Sequence, residues 1–480
     1  MKDYEPITMD IVINCPQCGA DVDLDEEDTV FRCLYCGSTL KPTGRNGVQS
    51  FYISPCETPQ KVARALLRTL GNKLTGLHLT ESILLYAPYW QVKGMLFQWI
   101  FGKEFFRSHY NNEKTWDSFK KLNATQWFHT FPAFESSKWS LLSLGLRARV
   151  LKIWPYNKKK MGEDSLLLKQ NVSFKEAVNQ TMQSIEYRKG IKDIKVELVK
   201  SELIGEHYSL IYFPFYCYIF TGPKKKSLVI VDALSHKTVK GNVDIDKLKQ
   251  DTAGKKIPYR PLSLIPFKCP NCGWDFPYKP HTSVHMCTTC GRAWRERNGH
   301  YIPVPYIIFL DGEAKKDKYK FLAFWRFIVN IKTSAREYKR LDEFYDLYPL
   351  SRLMDKEKSA KRSITFYVPA VKIKNARAVD KLAVQLTRTQ PVFKKYKPAG
   401  MGNIDMSDIW LDLKEAKEMA HLLLLSMTKK DHRKTKEVIR EAVLHFKNAG
   451  IILLPFKEKG IYLREVHTDF ALQKNAVDLG

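Results

Sequence analysis

The chain has 480 residues, 44% of them hydrophobic and 12% aromatic, which is enough apolar material for a sizeable core and about three domains. Its formal net charge is +27, from 56 Lys and 22 Arg against 51 acidic residues. This composition excludes a long disordered tail and points to an acidic partner, either nucleic acid, an anionic membrane surface or an acidic protein, although scattered Lys also serves as a solubilising charge.

No apolar run of signal-peptide length follows the first residues, and no stretch of 18 or more is apolar enough to span a bilayer. The nearest approaches are Ile83 to Phe101 and Tyr208 to Phe220, and both read as buried strands. A cytoplasmic location is expected. Eight of the ten cysteines stand in Cys-x-x-Cys pairs, which in a reducing compartment mean metal or redox chemistry.

In chain order, a first ribbon is expected over residues 1–47. Its knuckles are Cys15-Pro-Gln-Cys18-Gly and Cys33-Leu-Tyr-Cys36-Gly, with fourteen residues between Cys18 and Cys33. A lobe follows over 48–250. Its predicted helix spans Pro59 to Leu70, with Val62, Leu66, Leu67 and Leu70 on one face. Asp193 to Leu198 reads as a strand or a helix end. His207 to Phe220 is a strand that turns at Thr221-Gly-Pro-Lys and pairs with Leu228 to Asp232. A linker rich in Pro, Gly and Lys is expected over 251–266. A second ribbon over 267–298 carries Cys269-Pro-Asn-Cys272-Gly and Cys287-Thr-Thr-Cys290-Gly, with the same fourteen-residue spacer. In the last lobe, 299–480, helices are predicted over Leu413 to Met427 and Lys434 to Asn448.

All four cysteines of the second ribbon repeat those of the first at an offset of 254, and the likeness continues beyond them. Leu85-Tyr-Ala-Pro-Tyr89-Trp90 resembles Phe321-Leu-Ala-Phe324-Trp325. Thr130-Phe-Pro132-Ala133 resembles Tyr367-Val-Pro369-Ala370. Ser173-Phe-Lys-Glu-Ala177 resembles Asp412-Leu-Lys-Glu-Ala416, and Leu210-Ile-Tyr-Phe-Pro214 resembles Ile451-Ile-Leu-Leu-Pro455. Five ordered matches imply a tandem duplication with two similar lobes. Strand and helix patterns without regular βαβ alternation give the fold class α+β, each half a small ribbon followed by a mixed lobe.

Four thiolates from two knuckles form a closed tetrahedral site, and the Gly after each second Cys lets the backbone turn. Cys15, Cys18, Cys33, Cys36, Cys269, Cys272, Cys287 and Cys290 are therefore the expected ligands of two structural Zn2+ ions, with Fe as the alternative. His281 and His285, between the knuckles of the second ribbon, are alternative ligands or plain loop histidines. Cys56 and Cys217 have no place in the pattern, and Cys217 reads as a core residue.

Both sites resemble the zinc ribbons of transcription-initiation factors and the knuckles of rubredoxin. With Trp294 after the second ribbon and an aromatic strand beyond it, the layout looks like a bacterial group of double zinc-ribbon proteins. The ribbon resemblance covers about 60 residues and implies no activity for the rest.

No phosphate-binding Gly loop, nucleophile elbow or His-Glu-x-x-His motif occurs, so no catalytic residue is assigned. The expected function is a non-catalytic scaffold or adaptor that docks partner proteins through two related lobes. Trp90, Trp99, Trp127 and Trp139 are its candidate anchors, with core filling as the alternative for each. A second reading is a nucleic-acid-binding regulatory protein using the basic segments Arg147 to Lys160, Lys224 to Lys226, Arg292 to Arg297, Lys315 to Lys320 and Lys394 to Lys397. A third is a rubredoxin-like electron carrier. The acidic first ribbon (Asp21, Asp23, Asp25, Glu26, Glu27 and Asp28 against Arg32) is expected to repel phosphate, leaving the second as the better candidate for nucleic acid.

Overall fold

A computed structural model describes residues 10–478 apart from 26–29, 44–47, 71–73, 108–113, 136–138, 140, 142–151, 186–193, 224, 240–244, 253–262, 280, 310–318, 349–358, 393–394, 397–403, 429–438 and 440. The architecture is mixed, mostly strand, with seven helices among the described residues. The chain divides into two compact units, one of residues 1–94, 126–186 and 206–265, the other of 95–125, 187–205 and 266–480.

The elements begin with β1 (Asp10–Asn14), β2 (Asp21–Asp25), β3 (Phe31–Arg32), β4 (Thr39–Thr43), β5 (Gln49–Tyr52) and α1 (Pro59–Leu70). Two long strands follow, β6 (His78–Arg107) and β7 (Lys114–Pro132), then β8 (Lys152–Pro155), α2 (Lys158–Met161), β9 (Leu166–Leu167) and α3 (Phe174–Ser184). After them come β10 (Ile194–Thr221), β11 (Lys226–Asp232), β12 (Thr238–Val239), α4 (Ile245–Thr252) and β13 (Ser263–Pro266). A sheet runs β12-β11-β10-β5-β8-β1-β2, with β6 paired to β10, β7 and β9, while β13, β4 and β3 form a small sheet of their own.

Strand β10 is buried without interruption from Tyr208 to Phe220, as a strand covered on both faces must be. It forms the expected hairpin with β11, in a register from Phe215 opposite Asp232 to Thr221 opposite Lys226. Asp193 lies outside the described residues, and Ile194 to Leu198 is strand. Helix α1 has the expected bounds, but its inward face is Val62, Ala63 and Leu66. Leu67 is 40% exposed, because α1 lies on Tyr216, Tyr218 and Phe220, whose hydroxyl-bearing members also donate to the carbonyls of Glu57 and Pro59 at the helix start.

The second unit continues with β14 (Val284–Met286), β15 (Ala293–Arg297), β16 (His300–Val304), β17 (Tyr306–Phe309), β18 (Lys320–Lys332), β19 (Glu337–Tyr338) and α5 (Leu341–Leu347). Then come β20 (Thr365–Pro369), α6 (Ala376–Thr389), β21 (Lys395–Tyr396), α7 (Leu413–Met427), β22 (Val443–Lys459), β23 (Tyr462–Glu465) and β24 (Ala471–Gln473). The larger sheet runs β19-β18-β22-β17-β21, with β20 on β18 and β23 on β22, and β14-β15-β16 is a separate meander.

Helix α7 has the predicted limits. Its last turn is buried nearly all round, so cations cap it: Lys120 Nζ donates to the carbonyls of Ser426 (2.6 Å) and Thr428 (2.9 Å), and Arg388 donates to that of Met427. The helix expected over Lys434 to Asn448 is corrected. From Val443 onward the chain is β22, with Leu444, His445 and Phe446 opposite Ile331, Asn330 and Val329 of β18. There the apolar residues Leu444 and Phe446 alternate with polar ones, and pairing along β18 holds them as strand; Lys434 to Val438 and Arg440 lie outside the described residues.

Both units carry the same hydrogen bonds at matched positions. Helices α3 and α7 each begin with a capping box, Ser173 with Glu176 and Asp412 with Glu415. The indole of Trp90 donates to the carbonyl of Val172 (3.0 Å) and that of Trp325 to Leu411 (2.8 Å), each acceptor standing just before an N-cap. The N–H of Ala133 donates to Pro88 and that of Ala370 to Ala323, while Leu168 donates to Tyr86 and Ser407 to Phe321. Strand β5 is parallel to β10, as β17 is to β22. The N–H of Ala233 donates to Pro214 and that of Val466 to Pro455; beside them Asp232 and Glu465 each accept two backbone N–H bonds and a hydroxyl within one tight turn.

Candidate metal centres

Each ribbon is assembled from two copies of one backbone turn. In every knuckle the N–H of the Gly donates to the carbonyl of the first Cys (2.8–2.9 Å), and the N–H of that Cys donates to the residue five positions on: Ala20, Ser38, Trp274 or Arg292. The turn needs a left-handed residue after the second Cys, and Gly19, Gly37, Gly273 and Gly291 hold φ between +68° and +77°.

These turns bring eight predicted ligands into two clusters, Cys15, Cys18, Cys33 and Cys36 in one and Cys269, Cys272, Cys287 and Cys290 in the other. Sulfur–sulfur separations are 3.8 Å (Cys15–Cys36), 3.7 Å (Cys18–Cys33), 3.6 Å (Cys269–Cys290) and 3.5 Å (Cys272–Cys287). A regular tetrahedron with metal–sulfur bonds of 2.3 Å has edges of about 3.8 Å, so both cages fit a four-coordinate metal ion. Among the described residues no other group of three or more ligand side chains comes together this way.

In each cage the first Cys of a knuckle faces the protein and the second faces outward. Cys15, Cys33, Cys269 and Cys287 are buried, Cys18 and Cys36 exposed, Cys272 and Cys290 half-buried. The Ser38 hydroxyl and N–H bring the Cys36 thiol down to about 6. At Cys18 the Ala20 N–H pulls the same way, but burial and the sulfurs of Cys15, Cys36 and Cys33 push the thiol up to about 12. The second cage repeats this. Burial opposes ionisation of Cys290, yet the Arg292 N–H and nearby sulfurs lower it to about 7; the Trp274 N–H favours the Cys272 thiolate, yet burial and the other three sulfurs hold it at about 12. Sulfurs this close cannot all ionise without a cation among them, which is the electrostatic signature of a tetrathiolate metal site.

Neither histidine joins the second cage. His285 is buried edge-on to Phe267 (4.7 Å between centroids), and His281 stacks on Trp410 (4.7 Å). Cys56 is exposed, and Cys217 is fully buried with its thiol raised to about 12 by burial.

Of the two readings of the tryptophans, core filling is the one that holds for Trp90, Trp99 and Trp139. Trp90, Trp99 and Trp139 are 2%, 6% and 2% exposed and fill the cores, and Trp127 is half-buried. Trp90 and Trp99 stand at covered positions of β6, and the indoles of Trp90 and Trp139 donate to half-buried partners, the Val172 carbonyl and the Asp251 carboxylate. Four of the exposed large apolar side chains stand on or beside the ribbons, Leu34 (94%) and Tyr35 (74%) inside a knuckle and Trp274 (66%) and Tyr278 (52%) just beyond one, while Val392 (79%), Ile461 (66%), Val443 and Trp116 are exposed elsewhere. The signal for those on the ribbons was position, since a two-residue knuckle tip has no core within reach.

The ribbons' charges are partly answered. Asp23 pairs with Lys152 at 2.7 Å, Asp21 accepts from Asn14, and Lys160 reaches the same Asn14. Glu26, Glu27 and Asp28 lie outside the described residues, as do Arg147 to Leu151, Lys224, Lys315 to Lys318, Lys394 and Lys397. Lys158 turns inward to the carbonyls of Gly162 and Ser165, where burial lowers its pKa. Arg295 is half-buried near Asp412, while Arg292 and Arg297 are exposed. No described helix is long and apolar enough to cross a membrane.

Comparison of the chain with protein-family models, with curated proteins and with solved structures found no match. The reading of the sites rests on their geometry.

Proposed function

We propose that this chain is a non-catalytic zinc-binding scaffold of the cytoplasm that docks partner proteins through its first ribbon. The observation that carries this is the exposure of Leu34 and Tyr35 on the tip of a metal knuckle. Large side chains held in water by a cross-linked turn are pre-organised for docking, because the metal has already fixed the backbone that presents them. Solvated apolar groups of this size mark binding surfaces when they occur together. Closed four-sulfur cages suit a structural metal, since no ligand position is left for substrate or water.

The matched hydrogen bonds of the two units support a tandem duplication, in which one ribbon-and-lobe ancestor was copied and its surfaces then diverged. On this reading the lobes are rigid mounts and the knuckles are the variable contacts.

The test is affinity capture from the native cell with cross-linking, comparing the natural chain with a Leu34→Ser/Tyr35→Ser variant and with Trp116→Ser, an exposed aromatic away from the ribbons. Loss of one defined set of proteins in the knuckle variant alone is expected. An identical captured set in all three samples refutes docking through this knuckle.

A further inference from the structure

The two cages are alike in chemistry and differ in access. In both, the first Cys of each knuckle is buried, and the second accepts from the backbone N–H two positions on: Ala20 for Cys18, Ser38 for Cys36, Trp274 for Cys272 and Arg292 for Cys290. Cys18 and Cys36 are exposed, whereas Cys272 and Cys290 are half-buried. The Ser38 hydroxyl also lies 3.0 Å from the Cys36 sulfur. Each exposed Cys of the first cage has a buried Cys of the other knuckle within reach. Cys15 lies 3.8 Å from Cys36, and Cys33 lies 3.7 Å from Cys18. A thiolate that meets solvent is the one an oxidant attacks, and a second thiol beside it captures the oxidised sulfur.

We infer that the first cage is an oxidation site, where hydrogen peroxide joins the two knuckles by a disulfide while the second cage is spared. Peroxide is small and uncharged, so it needs only the opening that the exposed sulfurs provide. The Cys36 thiolate attacks one peroxide oxygen; an S–O bond forms, the O–O bond breaks and hydroxide leaves. The Cys15 thiolate then attacks the sulfenic sulfur of Cys36; the S–S bond forms, the S–O bond breaks and a second hydroxide leaves. Cys15 and Cys36 give up one electron each, and the peroxide takes both. Cys18 and Cys33 can react in the same way. The two thiolates left over no longer close a four-sulfur site, so the cage gives up its metal ion. Leu34 and Tyr35 lie between Cys33 and Cys36. Oxidation therefore releases a partner held at this tip, a consequence that rests on the docking reading, whereas the oxidation itself does not.

The test uses the full chain loaded with zinc and treated with hydrogen peroxide, with a chromogenic chelator reporting free zinc. The natural chain is expected to lose one of its two ions. Cys272→Ser, which keeps the first cage, loses its remaining ion, and Cys18→Ser, which keeps the second, retains it. Arg32 directly precedes Cys33, so trypsin separates the two knuckles of the first ribbon; after oxidation mass spectrometry finds them joined by a disulfide. A thiol reductant followed by zinc restores the lost ion. The inference is overturned if both ions leave at the same rate. It is equally overturned if the chelator alone strips the first cage as fast as peroxide does, or if the knuckles separate on digestion after the metal has left. The mapping needs only the natural chain, and no readout involves a partner, so failure here is distinct from failure of the docking reading.

Discussion

Removal of one sulfur from a cage is the sharpest perturbation of this molecule. Two opposite edges of each cage, 3.7 and 3.8 Å in the first and 3.5 and 3.6 Å in the second, correspond in a regular tetrahedron to a centre about 2.1–2.3 Å from the sulfurs, close to a zinc–thiolate bond. A structural zinc site contributes roughly 10–16 kcal/mol of apparent binding free energy at neutral pH, comparable to the whole net stability of a domain, roughly 5–15 kcal/mol. In the first ribbon Cys15 and Cys33 pack with Ile11, Val22, Leu24, Phe31 and Leu40, so an emptied cage opens the β1–β2 hairpin as well as the knuckles. The natural chain is expected to hold two metal ions, and Cys18→Ser or Cys272→Ser one. Metal stoichiometry by inductively coupled plasma spectrometry and the metal's X-ray absorption fine structure check this, the second through a single shell of four sulfurs at about 2.3 Å. Both outward-facing Cys residues are chosen because their loss disturbs no packed side chain. Colourless protein identifies zinc and red protein iron. A natural chain with fewer than two ions, a variant that keeps both, or a shell containing imidazole nitrogen from His281 or His285 refutes the assignment.

Two further predictions concern Glu415 at the start of α7. Burial first, then the Asp412 and Glu418 carboxylates, push its pKa up to about 8, against the Asp412 N–H and Lys414, which favour ionisation. A group raised in the folded state favours folding when protonated, so its contribution is complete below the ordinary glutamate value near 4.5 and is lost as pH rises to about 8. Urea unfolding at pH 5 and pH 9 should show a smaller drop for Glu415→Gln than for the natural chain; equal drops refute the shift. Next to it, Gly205 has φ +64°, and a Cβ there would lie 2.7 Å from Glu415 Oε1. Gly205→Ala should cost roughly 1–2 kcal/mol for the left-handed backbone and a further roughly 1–3 for overpacking. Only the second part should be relieved in Gly205→Ala/Glu415→Ala, and a double-mutant cycle without coupling would falsify the contact.

Much of this molecule is local, and local features are legible in a sequence. The two cysteine clusters followed from Cys-x-x-Cys-Gly because that spacing folds into one self-contained turn, whose Gly takes the positive φ whatever surrounds it. The limits of α1 and α7 followed from apolar period and, for α7, the Asp412–Glu415 cap, and the β10–β11 hairpin from its Gly-Pro turn. Trp90 and Trp325 could be matched by order alone, but that both donate to the carbonyl before an N-cap is a long-range fact.

What the tertiary structure decided is which way side chains face and which neighbours they meet. Val443 to Asn448 became strand because β18 offered a ladder to pair with, a partner more than a hundred residues away in sequence. Of the two roles open to the tryptophans in the sequence, strand geometry chose core filling for Trp90 and Trp99, which stand on covered faces. Leu34, Tyr35 and Trp274 stayed in water, because a Cys-x-x-Cys turn presents the residues on and just beyond its tip where no core reaches them. The cysteine spacing by itself determined which eight thiols gather into two cages; only the fold determined which side chains beside them stay exposed, because exposure depends on the packing around a residue and not on its spacing.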